Sequence, residues 1–282
     1  MRYTFIVLTL LLASCSPKLV TNYVNTSFPM VNRYESFGIV DSDTVSLASE
    51  QFIGQIEVKD NGLSINCDYW TVLEQIKNEA RKTGGNLIRI DEHKKPSTFG
   101  SSCHQIKASV FRVDNPRPFE KLIYWNSNRK LAIDDFKGPI TNRPFQAATF
   151  SGIEYYIKPK SSKGGFDIVV RTQFDCFRSY FKPSDSDSSV LAHEQLHFDI
   201  AEIYARRFFQ ELLKTQLDPF DFSNQANKLL NDITTELSQK QDEYDSEVYK
   251  NPELQEKWNS WVSSELEKYS EYRQKEIKNH GG

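Results

Sequence analysis

Apolar residues follow two rhythms along the chain. Between Phe52 and Val113 short alternating runs dominate. Phe52-Ile53-Gly54-Gln55-Ile56-Glu57-Val58 and Leu63-Ser64-Ile65-Asn66-Cys67 flank the turn-forming Asp60-Asn61-Gly62, which predicts a hairpin. From Tyr69 to Lys82 the spacing becomes helical, with Val72, Leu73, Ile76 and Ala80 on one face, and Gly84-Gly85 ends the helix. Strands are expected again at 86–90 and 106–113, separated by a loop rich in Pro, Ser and Gly. The Pro-rich stretch 114–121 pushes the residue before each proline into extended backbone and marks a boundary.

Beyond it, 129–138 reads as a strand running into a turn. A second strand is expected at 147–157, with a bulge at Ser151-Gly152, and a third at 166–174 after a loop at 160–165. The rhythm then turns helical for good. Ser and Asp residues between Pro183 and Ser189 offer N-caps for a helix over about 188–213, with Leu191, Leu196, Ile200, Ile203, Phe208 and Leu212 as its apolar positions. Ser223 is the expected cap of a second helix through about Val248, carrying Ala226, Leu230, Ile233, Leu237 and Tyr244. Asn251-Pro252 opens a third, with Trp258, Trp261, Val262, Leu266 and Tyr269. The fold class is α+β. A small module occupies 36–114, and a domain over 120–282 combines a three-stranded antiparallel sheet with three helices.

The first of those helices carries His193-Glu194-Gln195-Leu196-His197. Two histidines four apart lie about 40° from each other around a helix axis, so both imidazoles can reach one metal ion. Glu194 lies on the same side and can take a proton from a water activated by that metal, the chemistry of a zinc peptidase. A catalytic zinc takes three protein ligands. Asp199 and Glu202 fall at about 240° and 180° from His193, off the metal face. Tyr204, at about 20°, is on that face but is a rare ligand, and the resemblance of the motif to two-helix zinc peptidases implies a third ligand from the second helix, where Glu236, Asp242, Glu243, Asp245 and Glu247 are the candidates. Tyr204, Arg206 and Tyr244 are candidates to stabilise an oxyanion.

Composition and charge bound these readings. The 282 residues are 26% charged and 38% apolar, enough for a packed core, and the net charge of −3 without a basic block gives no reason to expect nucleic acid as a partner. At the N-terminus, Arg2 and the apolar run Phe5 to Leu12 form an export signal too short to span a bilayer. Leu12-Ala13-Ser14-Cys15 resembles the bacterial lipoprotein cleavage box. The resemblance implies a lipoprotein signal over 1–15 with cleavage before Cys15, lipidation of Cys15, and a membrane anchor in the cell envelope. Residues 16–35 read as a tether, and the absence of an acidic run after Cys15 favours a periplasm-facing anchor. Export permits disulfides. Cys67 and Cys103 share the N-terminal region and are expected to pair, leaving Cys176 as a buried thiol. His93 and His104 appear isolated from each other, as surface histidines. His104 offers a metal ligand only if the disulfide beside it is absent.

Two further resemblances follow from longer stretches. The helix ending Ala80-Arg81-Lys82-Thr83-Gly84-Gly85-Asn86 before a strand resembles small exported lipoprotein domains of bacterial envelopes, in which a cysteine starts the helix. That comparison covers about 60 residues and implies a binding or spacer module. Residues 125–262 resemble a bacterial family of predicted secreted zinc-dependent proteases, catalogued as a domain of unknown function. The matching pieces are Asp134-Asp135-Phe136-Lys137-Gly138, Ala147 to Tyr155, Leu191 to Arg206, and Tyr244-Asp245-Ser246-Glu247 with Gln255 and Trp258. This resemblance implies a zincin-like domain, a zinc cofactor, a peptide or protein substrate, and Asp245 as the first choice of third ligand, ahead of Glu247 and Glu236. The chain departs from the family pattern at Val248 and Lys250, where relatives carry Thr and His. That departure favours the competing expectation of a non-catalytic envelope lipoprotein, a binding or scaffold module with a degenerate metal site.

Overall fold

The computed structural model describes residues 17–41 except 26 and 34, 51–98 except 63, 65 and 66, 100–159, 165–185 and 187–281. The export signal, Cys15 and most of the expected strand 63–67 lie outside the described residues. The chain divides between Glu120 and Lys121 into two compact units.

The first unit is a five-stranded sheet with one helix. Its elements are β1 (Lys18–Tyr23), β2 (Gly38–Asp41), β3 (Gln51–Lys59), α1 (Tyr69–Lys82), β4 (Leu87–Lys94) and β5 (Gln105–Arg112), and the strand order is β1-β3-β5-β4-β2. All neighbours are antiparallel except β2 and β4, which run parallel. Two expectations fail here. The stretch read as a tether holds β1, paired with β3 from Lys18↔Lys59 to Tyr23↔Gly54. Its Leu19, Val20 and Tyr23 were too sparsely apolar to announce a strand. The hairpin of 52–58 with 63–67 is also replaced, because β1 and β5 already occupy both edges of β3.

Helix α1 forms as its pattern predicts. The Asp68 carboxylate accepts a hydrogen bond from the Thr71 amide (3.0 Å), satisfying one of the helix's unpaired donors. At the other end Gly84 adopts φ 84°, the left-handed conformation that a Cβ disfavours, and the Gly85 amide closes back on the Ala80 carbonyl (2.8 Å). Val72, Leu73, Ile76 and Ala80 pack onto Ile53, Ile56, Ile88, Ile106 and Val110 of the sheet. The Cys67–Cys103 disulfide joins the start of α1 to the start of β5, across 36 residues of sequence. Closing such a loop stabilises by about 4 kcal/mol in the chain-entropy account. Cys176 is a buried thiol outside the disulfide, as expected.

The second unit places a sheet beneath three helices. It comprises β6 (Leu122–Tyr124), β7 (Ala147–Ala148), β8 (Ser151–Pro159), β9 (Phe166–Asp175), β10 (Tyr180–Phe181), α2 (Asp187–Lys214), α3 (Phe222–Lys250), α4 (Leu254–Lys268) and β11 (Glu276–His280). Strand β9 is the centre. It pairs antiparallel with β8 along its whole length, and on its other edge with β11 near Ile168 and with β6 near Phe174. The sheet has four strands where three were expected, and only β8 and β9 are common to both, since β6 is too short and β11 too polar to show alternation.

Other details also differ. No strand forms over 129–138. The Asp135 carboxylate accepts from the Ala132 amide (2.7 Å) and takes both Arg129 guanidinium nitrogens (2.9 Å each), which bends the chain into a short 3-10 turn at Ile133–Asp135. Such side-chain to backbone bonds compete with a sheet ladder. The irregularity placed at Ser151-Gly152 sits instead at 149–150, between β7 and β8, since β8 keeps perfect register from Ser151↔Phe174 onward. The N-cap of α3 is Asp221, one residue before the helix begins at Phe222, and not Ser223.

Helix α2 is the spine of this unit. Its buried residues run almost without interruption from Leu196 to Phe209, because it is wedged between β8 and β9 on one side and α3 and α4 on the other. Ile200, Phe208 and Leu212 are fully buried in the same core as Ile168, Ile233, Leu237 and Trp258. Each such side chain stabilises by roughly 1.5–3 kcal/mol.

Candidate metal centre

The motif occupies the second and third turns of α2, where the helix emerges from the cap-rich stretch before Asp187. Two polar networks fix its rotation. On the side away from the histidines, the Asp199 carboxylate accepts from Trp125 Nε1 (2.6 Å) and Gln195 Nε2 (2.8 Å), with Lys130 Nζ at 3.3 Å. Gln195 Oε1 accepts in turn from the Leu131 amide (2.8 Å). One helical turn on, Glu202 is fully buried and accepts from Thr172 Oγ1 (2.6 Å), Arg206 Nε (2.8 Å) and Lys275 Nζ (2.7 and 2.9 Å). Both acids point away from the histidines, as the helical angles predict, and both are committed to other partners.

On the opposite side, helix α3 completes the cluster. Asp245 Oδ1 lies 3.0 Å from His193 Nε2 and 2.9 Å from His197 Nε2, and the two imidazole nitrogens are 3.2 Å apart. Donors arranged tetrahedrally at about 2.05 Å from one zinc ion would be about 3.3 Å apart. The three atoms thus sit almost at the spacing of three cis ligands, with both nitrogens and one carboxylate oxygen facing a common point. Of the second-helix candidates only Asp245 reaches the histidines. Glu236 pairs with Arg207 (2.6 Å), Glu243 with Lys240 (2.5 Å), and Glu247 accepts from Trp258 Nε1 (3.0 Å) and Lys257 (3.1 Å). Asp242 is exposed and outside the cluster. Among the described residues, His193, His197 and Asp245 are the group of three able to hold a metal ion.

Neighbouring side chains hold this geometry. The Tyr244 ring is fully buried and stacks on His193 with centroids 4.5 Å apart, while its hydroxyl donates to Gln255 Oε1 (2.8 Å). Gln241 Nε2 donates to the His197 carbonyl (3.3 Å). Burial draws the Asp245 carboxyl upward, but hydrogen bonds from His193 and His197 outweigh it and hold the group well below the usual carboxylate range. It is therefore an anion at neutral pH and ready to neutralise a cation. Asp245→Asn is expected to weaken zinc binding by at least about 100-fold, more than the 10- to 100-fold typical of losing an outer partner, as read by competition with a chelating dye.

Glu194 is only 4% exposed, and its Oε2 is buried without a hydrogen-bond partner among the described residues. A buried carboxylate oxygen left unsatisfied costs free energy and is rare in folded proteins outside functional sites. The backbone at this residue is held by Thr149 Oγ1, which donates to the Glu194 carbonyl (3.1 Å) from the β7–β8 break.

The oxyanion candidates sort differently from expectation. Arg206 is spent on Glu202 and on the Leu266 carbonyl (2.7 Å), Tyr204 packs in the helical core beneath Arg207, and Tyr244 is a support for His193. Tyr249, outside the expected set, is a further candidate. It is 63% exposed, its ring lies 5.8 Å from His193, and Phe145 stacks on it at 6.3 Å. Burial raises its hydroxyl pKa, and the charges of Asp245 and Glu194 raise it further, so it remains a proton donor at neutral pH. Only its spacing, one turn after Asp245 on the same helix face, could have flagged it. At the two departures from the family pattern, Val248 packs against the helical core and Lys250 Nζ donates to Ser246 Oγ (3.3 Å). Neither enters the cluster.

The unit is thus an antiparallel sheet with three helices, and two of those helices bring together a His-His-Asp set suited to a metal ion. A family model described as a bacterial protein of unknown function (DUF922) matches residues 184–251, the stretch that holds all three of these side chains together with Glu194. No curated protein and no solved structure matches the chain.

Proposed function

We propose that this chain is a zinc-dependent metallopeptidase. The observation that supports it is the convergence of His193, His197 and Asp245 on one point, on the same helix turn as the buried, unsatisfied carboxylate of Glu194. When bound, zinc supplies Lewis acidity, polarising a carbonyl and acidifying water. The rest falls to the protein. His193 and His197 would hold the ion through Nε2, with the Tyr244 ring packed against both imidazoles. Asp245 supplies the anion. Glu194 takes a proton from the attacking water and returns it to the leaving amine. The Tyr249 hydroxyl is the exposed donor beside the cluster for the developing oxyanion. Phe145 and Tyr249, both largely exposed, offer an apolar wall to a substrate side chain.

A peptide library incubated with the full chain tests this reading. Cleavage should vanish on treatment with a chelator and return on adding zinc. Failure of the zinc-loaded chain to cleave any library member would remove the peptidase assignment.

We propose further that the protein acts in the cell envelope, anchored through lipid on Cys15. The support is the Leu12-Ala13-Ser14-Cys15 sequence alone. Among the described residues no helix is long and apolar enough to cross a membrane. Expression with a labelled fatty acid should mark the wild-type chain and leave Cys15→Ser unlabelled. Equal labelling of both would contradict the anchor.

A further inference from the structure

The first unit holds a second pair of histidines, brought together although they stand eleven residues apart in sequence. His93 Nε2 and His104 Nδ1 are 2.8 Å apart, and the rings stack with centroids 5.1 Å apart. The sheet brings them together. His93 lies opposite Ile106 in the β4–β5 register, and His104 stands two residues before Ile106, so both side chains project from one face at the end of the sheet. That end is built. The His104 amide donates to the Cys67 carbonyl (2.9 Å), and the Cys67–Cys103 disulfide ties the same two segments covalently. Tyr69, in the first turn of α1, contacts both rings, at 5.1 Å from His93 and 5.7 Å from His104.

The chemistry of the pair follows from its surroundings. Neither imidazole has another hydrogen-bond partner among the described residues, so no carboxylate or carbonyl fixes a tautomer. Both rings are half-exposed, which leaves room for water ligands. Two nitrogens each about 2.0–2.1 Å from one ion and about 2.8 Å apart subtend close to 90°, the cis angle of a square-planar or octahedral centre.

We propose that His93 and His104 form a second metal site, which takes a late first-row divalent cation of the copper(II) class through His93 Nε2 and His104 Nδ1, with water completing the coordination. Imidazole suits this class, and copper(II) binds such ligands most tightly of the series. The site is independent of the helical cluster and of the proposed peptidase activity.

Copper(II) ions alone are the probe. The full chain carrying His197→Ala, which disables the helical cluster, is titrated with copper(II) and followed by electron paramagnetic resonance. One bound equivalent with hyperfine coupling from two nitrogens is expected. Adding His104→Gln or His93→Gln should weaken binding at least tenfold while the disulfide and the circular dichroism spectrum stay unchanged. In the otherwise unaltered chain, either substitution should remove one equivalent of bound copper. Absence of copper binding in the His197→Ala chain, or binding that both glutamine variants retain, overturns the proposal.

Discussion

Glu194→Gln is expected to reduce peptide hydrolysis by about 10²- to 10⁴-fold while leaving zinc affinity unchanged. That range corresponds to roughly 3–5 kcal/mol of transition-state stabilisation. The amide is nearly isosteric with the carboxylate but cannot accept the proton of the attacking water. The side chain is not among the three that converge on the metal point, so binding should persist. The folded state should not suffer either, and denaturant titration should show it slightly more stable. An unsatisfied buried anion is replaced by a neutral group whose burial costs less. Loss of zinc together with activity would move Glu194 from general base to ligand. Full activity in the variant would remove it from the chemistry.

The largest loss of stability is expected from Glu202→Ala, at about 3–5 kcal/mol. Glu202 is fully buried, and Arg206 and Lys275 beside it are nearly so. Removing the acid strands two cations and the Thr172 hydroxyl in a site where, among the described residues, no other acid pairs with them. Burial already lowers the Lys275 pKa, and the Glu202 charge is what opposes that shift. Lys275 also holds φ 42°, a left-handed backbone uncommon for a residue with a Cβ, and its ammonium group reaches Glu202 from there. Against a total stability of about 5–15 kcal/mol, such a loss is a large fraction. Urea denaturation should show a markedly lower midpoint, with zinc binding per folded molecule intact. A change below about 1 kcal/mol would mean that water replaces the acid and that the network is not structural.

These residues also show where the sequence was legible and where it was not. His193, Glu194 and His197 could be read directly, because their spacing is a property of a single helix. That Asp199 and Glu202 face away could be read from the same angles. Their destinations could not. On a helical wheel Asp199, Glu202 and Arg206 look like a solvated face, yet all three are buried against groups far away in sequence, Asp199 at Trp125, Glu202 at Thr172 and Lys275, and Arg206 at the Leu266 carbonyl. Asp245 is one of six acids on the second helix, five of them candidates for the third ligand. Choosing it from the residues alone would have required the rotation of α3 against α2, which is set by Ile233, Leu237 and Tyr244 packing in the shared core. The family resemblance pointed to it instead.

In the first unit, α1 and the strands at β4 and β5 were visible in local periodicity. The pairing of His93 with His104 was not, because it depends on the register of two strands joined by a loop. Strands β1 and β11 were missed for a related reason. Each is short and largely polar, and is held in place by a neighbouring strand more than by its own pattern.

The central claim is that α2 and α3 build a three-ligand zinc site. Metal content of the purified full chain, measured by mass spectrometry after equilibration with zinc and removal of excess, tests it most directly. With His93 and His104 changed to Gln to leave only the helical cluster, the account predicts one zinc per chain, retained in Glu194→Gln and lost in Asp245→Asn. A correctly folded chain that holds no zinc, or one that keeps its zinc after Asp245→Asn, would contradict it.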